Sequence, residues 1–142
     1  MNSKRIERFV ATYQKIDIDN ISLLREIYHS DITFIDPLHK VQGIAALEEY
    51  FQHLYSNVKS ISFNIDETLE VADKGCLYWT MSYSHPSLNS GKVINVLGHS
   101  RLTFDNEKVI FHQDYLDTNS MIFEHIPVVG HFIKYLKKRA AK

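Results

Sequence analysis

A chain of 142 residues is long enough to bury a core and leaves little room for a second domain, so one domain spanning 1–142 is expected. A net charge of -1 with ordinary hydrophobic and charged fractions, 44% and 23%, argues against a dedicated nucleic-acid binder, which needs a basic excess on one face. One cysteine, Cys76, excludes an intramolecular disulfide, and the sequence offers neither a signal-peptide core nor a stretch of transmembrane length, so a reducing cytoplasm is the expected location.

In chain order, Ser3 to Ile16 predicts an amphipathic helix with Ile6, Phe9, Val10, Tyr13 and Ile16 on one face. Asp17 to Asn20 breaks it and offers a cap for a short second helix whose stripe is Ile21, Leu24, Ile27 and Tyr28. His29-Ser30-Asp31 ends that helix, and Ile32 to Asp36 is a short strand stopped by Pro37. Gly43 opens a third helix to about Val58, with Ile44, Leu47, Phe51, Leu54 and Tyr55 on its apolar face.

The period then changes from helical to alternating. Ile61, Phe63 and Ile65 alternate with Ser62, Asn64 and Asp66, in a strand that runs on to Ala72 and turns at Asp73-Lys74-Gly75. Cys76 to His85 is the next strand, with Leu77, Trp79, Met81 and Tyr83 on one side; Cys76 reads as a buried strand residue. After a loop at Pro86 to Gly91, Lys92 to Phe104 and Val109 to Asp117 are strands joined by a tight turn. Thr118 to Lys142 reads as helical, interrupted by Pro127 and Gly130.

Helices first and an antiparallel meander after them signal α+β. The strands are long and aromatic, and a flat sheet of that composition would expose large apolar patches. Strong coiling around the helices covers one face, and a second copy covers the other. The expected architecture is a cone-shaped half-barrel, a cystatin-like roll with N-terminal helices on a strongly curved antiparallel sheet and the C-terminal helix near its mouth. A homodimer through the outer sheet face and a ligand pocket in the concavity go with it.

The run Tyr28-His29-Ser30-Asp31-Ile32-Thr33-Phe34-Ile35-Asp36-Pro37, followed by Gly43 and a helix, resembles the entry of the nuclear transport factor 2-like superfamily. The closing run His112-Gln113-Asp114-Tyr115-Leu116-Asp117 resembles the last-strand signature of its SnoaL-like branch. Element order and length match over nearly the whole chain. The resemblance implies the fold and a small-molecule pocket, while activity varies among enzymes, ligand binders and interaction domains. Asp36-Pro37 resembles the segment that carries the general base of ketosteroid isomerases. In those enzymes two acids bind the developing oxyanion; here Phe9 and Ser100 fall at their positions, which argues against steroid isomerisation. Limonene epoxide hydrolases add an Arg and a second Asp where this chain has Met81 and Tyr83. Polyketide cyclases of the SnoaL type use a single last-strand aspartate, a requirement that Asp114 meets.

Asp114 is accordingly the leading catalytic candidate, with His112 on the same strand face and Asp36 as a second carboxylate. If that face is concave, Asp114 stands among apolar groups, where desolvation favours a general-base role. The structural alternative is that Asp114 anchors helix ends by accepting backbone N–H bonds. For Asp36 the alternative is an Asp-Pro turn bonded to nearby backbone. Trp79, Met81, Tyr83, Ser100, Phe34, Tyr13 and Phe51 form the candidate ligand-binding set, and core packing is as good a reading for the strand members. Arg101 reads as a surface group rather than an anion clamp.

No His spacing suits a metal, and no phosphate loop, nucleophile elbow or CxxC motif is present, so neither metal nor cofactor is expected. The tail combines Val128, Val129, Phe132, Ile133 and Leu136 with Lys134, Lys137, Lys138, Arg139 and Lys142. A lid helix over the mouth is favoured over a helix lying on a membrane, and stable membrane insertion is not expected. The functional expectation is a pocket protein for a small, largely apolar, oxygen-bearing ligand; any activity would be cofactor-independent isomerase, cyclase or hydrolase chemistry. The alternative is a non-catalytic dimeric interaction domain.

Overall fold

The computed structural model describes residues 4–121 and 127–141. Ser3, the expected start of the first helix, and Lys142 lie outside them. Helix α1 runs Lys4–Tyr13 and buries Ile6 and Phe9. The Asn20 side chain closes the turn after it, accepting from Asp17 N at 2.6 Å and donating to Lys15 O at 2.7 Å. One 3₁₀ turn, Ile21–Leu23, leads into the single-turn helix α2, Leu24–Ile27.

Strand β1 spans Tyr28–Ile35, so Tyr28 to Asp31 are strand rather than the end of a helix. The cause is tertiary: Tyr28 stands opposite Val109 of the last strand, and a sheet ladder outcompetes a four-residue helical extension. A short strand β2, Lys40–Gln42, which periodicity could not reveal, folds back on β1. Gly43 at φ 89° then starts helix α3, Ile44–Asn57, in a backbone region that L side chains rarely adopt.

The long strands are β3 (Ser60–Val71), β4 (Lys74–Ser84), β5 (Ile94–Asp105) and β6 (Lys108–Leu116). The sheet order is β2-β1-β6-β5-β4-β3. It is not wholly antiparallel, because β1 pairs with β6 in parallel and joins the helical half of the chain to the meander. The two-residue turns use Ala72 at φ 55° and Asn106 at φ 54°, so the first hairpin turns earlier than expected. Gly75 therefore lies inside β4, where a Cβ would meet the Phe104 ring at 3.1 Å and Ile6 at 3.3 Å.

Register irregularities between Ile65 and Glu67 on β3, and at Thr103–Phe104 opposite β6, shift side-chain phase and add twist to a curved, unclosed sheet. The second one puts Val109, not Ile110, in the core ahead of His112. The concave face carries Leu77, Trp79, Met81 and Tyr83 of β4 and Val96, Ser100, Leu102 and Phe104 of β5, against α1, α2 and α3. Cys76 is half-buried on the opposite face, one residue out of phase with the core. Helix α4 (Thr118–Met121) packs on β5, and α5 runs Pro127–Ala140 with Pro127 at its start and Gly130 inside it. Proline at a first helical position loses no intrahelical bond, so neither residue interrupts this helix.

Candidate functional site

Alternation on β6 sends His112 and Asp114 to the concave face, and β5 places Ser100 directly opposite Asp114. The indole of Trp79, on β4, reaches diagonally over Gly98 toward Ser100. A Cβ on Gly98 would lie 2.4 Å from the Trp79 ring, so the glycine is what allows the indole to lie flat there.

These side chains form one directed chain of hydrogen bonds. Trp79 Nε1 donates to Ser100 Oγ at 2.9 Å, and Ser100 donates to Asp114 Oδ1 at 2.5 Å. From the other side, His112 Nε2 meets the same Oδ1 at 2.6 Å, and His112 Nδ1 lies 2.7 Å from the Tyr28 hydroxyl. An ionised carboxylate accepts only, so Nε2 carries the proton and, in a neutral imidazole, Nδ1 accepts from Tyr28. His112 is buried and is clamped by rings: Phe34 at 4.7 Å between centroids and Tyr28 stacked at 5.8 Å. Asp114 Oδ1 is thus filled by two side-chain donors, and Oδ2 has no hydrogen bond to a described residue. The carboxylate does not anchor helix ends.

Asp114 lines a small cavity together with Tyr13, Phe63, Ile65, Leu77, Trp79, Ser100 and His112. The cavity volume is about 10 Å³, room for about one water, well short of the ligand-sized space expected. The Tyr13 hydroxyl also has no hydrogen bond to a described residue. Burial, reinforced by the phenol groups of Tyr28, Tyr55 and Tyr50 and by the Asp114 charge, pushes the Tyr13 phenol well above its ordinary value. Burial does the same at Tyr28, with a contribution from Asp114. Both phenols therefore remain protonated and can act as hydrogen-bond donors.

Of the residues proposed from sequence, Tyr13, Trp79, Ser100, His112 and Asp114 converge on the cavity, and the others lie elsewhere. Phe34 and Phe51 pack behind it, Phe34 on His112 and Phe51 edge-on to Tyr13 at 6.2 Å. Met81 is core. Tyr83 donates its hydroxyl to Met121 O at the foot of α4. Asp36 is in the turn between β1 and β2, where Oδ1 accepts from Leu38 N at 2.8 Å and His39 N at 2.7 Å. Its Oδ2 accepts from the Tyr50 hydroxyl, whose ionisation is pushed upward by burial and then by that bond. Asp36 is a turn clamp, and it does not line the cavity. Arg101 lies over the Phe111 ring at 5.0 Å and reaches Gln113 on the outer face.

Sequence periodicity does not reveal Tyr28 as a site residue, because the local apolar stripe puts it at the end of a helix. Nor does it single out Phe63, Ile65 and Leu77 as site residues, although β3 alternation marks the first two. Only the pairing of Phe63 with Met81 and of Ile65 with Trp79 puts them on the cavity side. Among the described residues, no group of three or more His, Cys, Asp or Glu could hold a metal ion.

A putative SnoaL-like polyketide cyclase from Jannaschia sp. CCS1 superposes with a TM-score of 0.74 at 13% identity, covering 85% of this chain and 93% of that one. Another from Shewanella denitrificans OS-217 gives 0.67 at 20%, covering 81% and 92%. A ketosteroid isomerase-like fold from Catenulispora acidiphila, solved with trimethylamine, gives 0.73 at 12%, covering 88% and 93%. Identities this low establish the fold alone. No curated protein matches the chain. The model of the SnoaL-like domain matches residues 6–112, three-quarters of the sequence and up to the histidine of the site, and the chain belongs to that family.

Proposed function

We propose that this chain binds a small, largely apolar ligand bearing one or two oxygens, with Asp114 Oδ2 as its polar anchor and proton acceptor. One observation carries the reading: a half-satisfied carboxylate on the wall of a largely apolar, aromatic cavity, with Oδ1 held by Ser100 and His112 and Oδ2 without a hydrogen bond to a described residue. A spare acceptor and a spare donor, Tyr13, on the wall of one cavity are a complementary pair for a ligand carrying both functions. In the enzymatic version Asp114 takes a proton from a ligand C–H or O–H, and the electron pair left behind moves to an oxygen bonded by Tyr13. Tyr13 serves there as a neutral donor, because its raised ionisation makes it a poor proton source. His112 positions Asp114 through Oδ1 and forms part of the cavity wall, and Tyr28 holds His112 from behind. Entry requires side chains to move, since the cavity holds only about one water. Phe63, on edge strand β3, and Tyr13, on α1, are the flanking groups with least sheet structure around them.

The outer sheet face favours a homodimer as part of the same reading. Tyr78, His99 and Tyr115 form a cross-strand row with ring centroids 5.5 and 5.0 Å apart, beside exposed Leu69, Val71 and Leu97. A row of that kind is an interface signature. If the cavity never opens, the dimer itself is the function and the chain is a non-catalytic interaction domain.

Native mass spectrometry of the protein purified from its own cells tests both. A dimer carrying an added small-molecule mass that disappears in Asp114→Asn supports the pocket reading. A dimer with no added mass, and no change in stability with any candidate apolar acid, alcohol or ketone, leaves the interaction domain.

A further inference from the structure

Charge is distributed unevenly along this chain. The residues from Pro127 onward contain five Lys and Arg and no Asp or Glu, whereas the preceding part contains eleven Lys and Arg against seventeen Asp and Glu. A nearly neutral protein therefore consists of an acidic body and a cationic C-terminal helix. The helix has an apolar stripe as well. Phe132 and Leu136 are four residues apart and so stacked on one face, with Tyr135 beside them; they are 61%, 48% and 57% exposed. Lys134 and Lys138, also four apart, are exposed on the opposite side. Among residues 130–141 only Gly130 is buried and Ile133 half-buried, on another side of the helix, so the stripe is left uncovered. No described residue of α5 lines the cavity, which removes the main reason for reading it as a lid.

We propose that α5 is a peripheral docking helix for an anionic membrane surface. An apolar stripe on one face with lysines on the polar face of the same helix, and no acid in it, is complementary to a lipid interface: rings and Leu136 enter the acyl boundary while the long lysine side chains reach back to lipid phosphates. Nucleic acid would use the cations and leave Phe132 and Leu136 in water. The helix lies on the surface and does not cross it, in keeping with the finding that no described helix is long and apolar enough to span a membrane. Docking places the lipid on the cationic part of the molecule and turns the acidic body away.

The test is vesicle flotation of the full-length protein. Vesicles of phosphatidylcholine alone are compared with vesicles in which about one-third of the lipid is phosphatidylglycerol, at low and high salt. The expected result is partition onto the anionic vesicles only, lost as salt rises. Replacing both Lys134 and Lys138 with Glu weakens it by at least about 30-fold, from about fivefold per cation. Replacing both Phe132 and Leu136 with Ser weakens it by at least about tenfold, with melting temperature unchanged because both side chains are exposed. No partition at low salt, or partition equal on the two vesicle types, overturns the proposal. So does a change of oligomeric size when the Phe132 and Leu136 pair is replaced, since the stripe would then be covered by a second copy. The salt dependence of the unmodified protein decides the matter even if one of the variants folds poorly.

Discussion

Asp114 and Asp36 are the same side chain in two different situations within one sheet. Asp36 directly follows strand β1 and bonds Tyr50, Asp114 lies within β6 and reaches Tyr28 through His112, and both resemble catalytic carboxylates of related folds. At Asp36 the acceptors are used: two backbone N–H groups fill Oδ1 and the Tyr50 hydroxyl fills Oδ2. At Asp114 two side chains fill Oδ1 and Oδ2 stays open. A carboxylate that closes a turn stabilises the fold. One braced on a single oxygen is held in place and still has an acceptor to use.

The sharpest way to break that comparison is to neutralise each carboxylate. Asp114→Asn is expected to reduce turnover of any substrate found by about 10²- to 10⁴-fold, with ligand binding weakened as well. Asp36→Asn is expected to leave turnover within about twofold. Equal losses at the two sites, measured as kcat/KM on one substrate, would erase the distinction.

The next effect is on stability and tests what holds Asp114 in place. Gly98→Ala puts a methyl group into the Trp79 ring, so the indole must shift and release Ser100. Overpacking of this sort is expected to cost about 1–3 kcal/mol, read from urea unfolding, together with a change in Trp79 fluorescence. An unchanged emission spectrum would show that the indole is not the brace.

Asp36→Ala should show its effect as instability, of about 1–2 kcal/mol, by leaving Leu38 N, His39 N and the Tyr50 hydroxyl without their acceptor. A stable variant would mean that water replaces the carboxylate freely and that the turn is held by other bonds.

The mildest effect lies outside the ordinary pH range. Burial raises the phenols of Tyr13 and Tyr28 near Asp114, and those of Tyr50 and Tyr55 near α3, with Tyr55 pushed up to about 12. A folded value above the unfolded one means that this stability is fully present below about pH 10 and is lost as pH rises toward the folded values. The urea midpoint should therefore be insensitive to these groups up to about pH 10 and decline above it. Full tyrosinate absorbance in the folded protein at the start of that range would contradict the burial of both clusters.

Much of the fold and part of the site could be read from the residues themselves. Alternation is local, so Ile61, Phe63 and Ile65, the Leu77-Trp79-Met81-Tyr83 stripe and the His112-Asp114 pair revealed strands and faces without any tertiary information. The helical stripes of α1 and α3 were equally legible, as was the α+β order. Family resemblance then pointed to the curved sheet and to Asp114. Tyr28 was not legible as strand because four residues at a helix end carry no strong period, and the parallel ladder to β6 decided them.

What only the tertiary structure decided is pairing across distance. Whether Asp36 or Asp114 keeps a free oxygen depends on donors far away in the chain: Tyr50 for one, Ser100 and the Trp79 behind it for the other. The width of the cavity likewise depends on how closely Tyr13 of α1 approaches Phe63 of β3, a separation set by packing of whole elements. Sequence determined which residue types face one way along each strand, since that follows from backbone geometry alone. Satisfaction of a buried polar group is a property of its neighbours in space, and a single strand does not contain them.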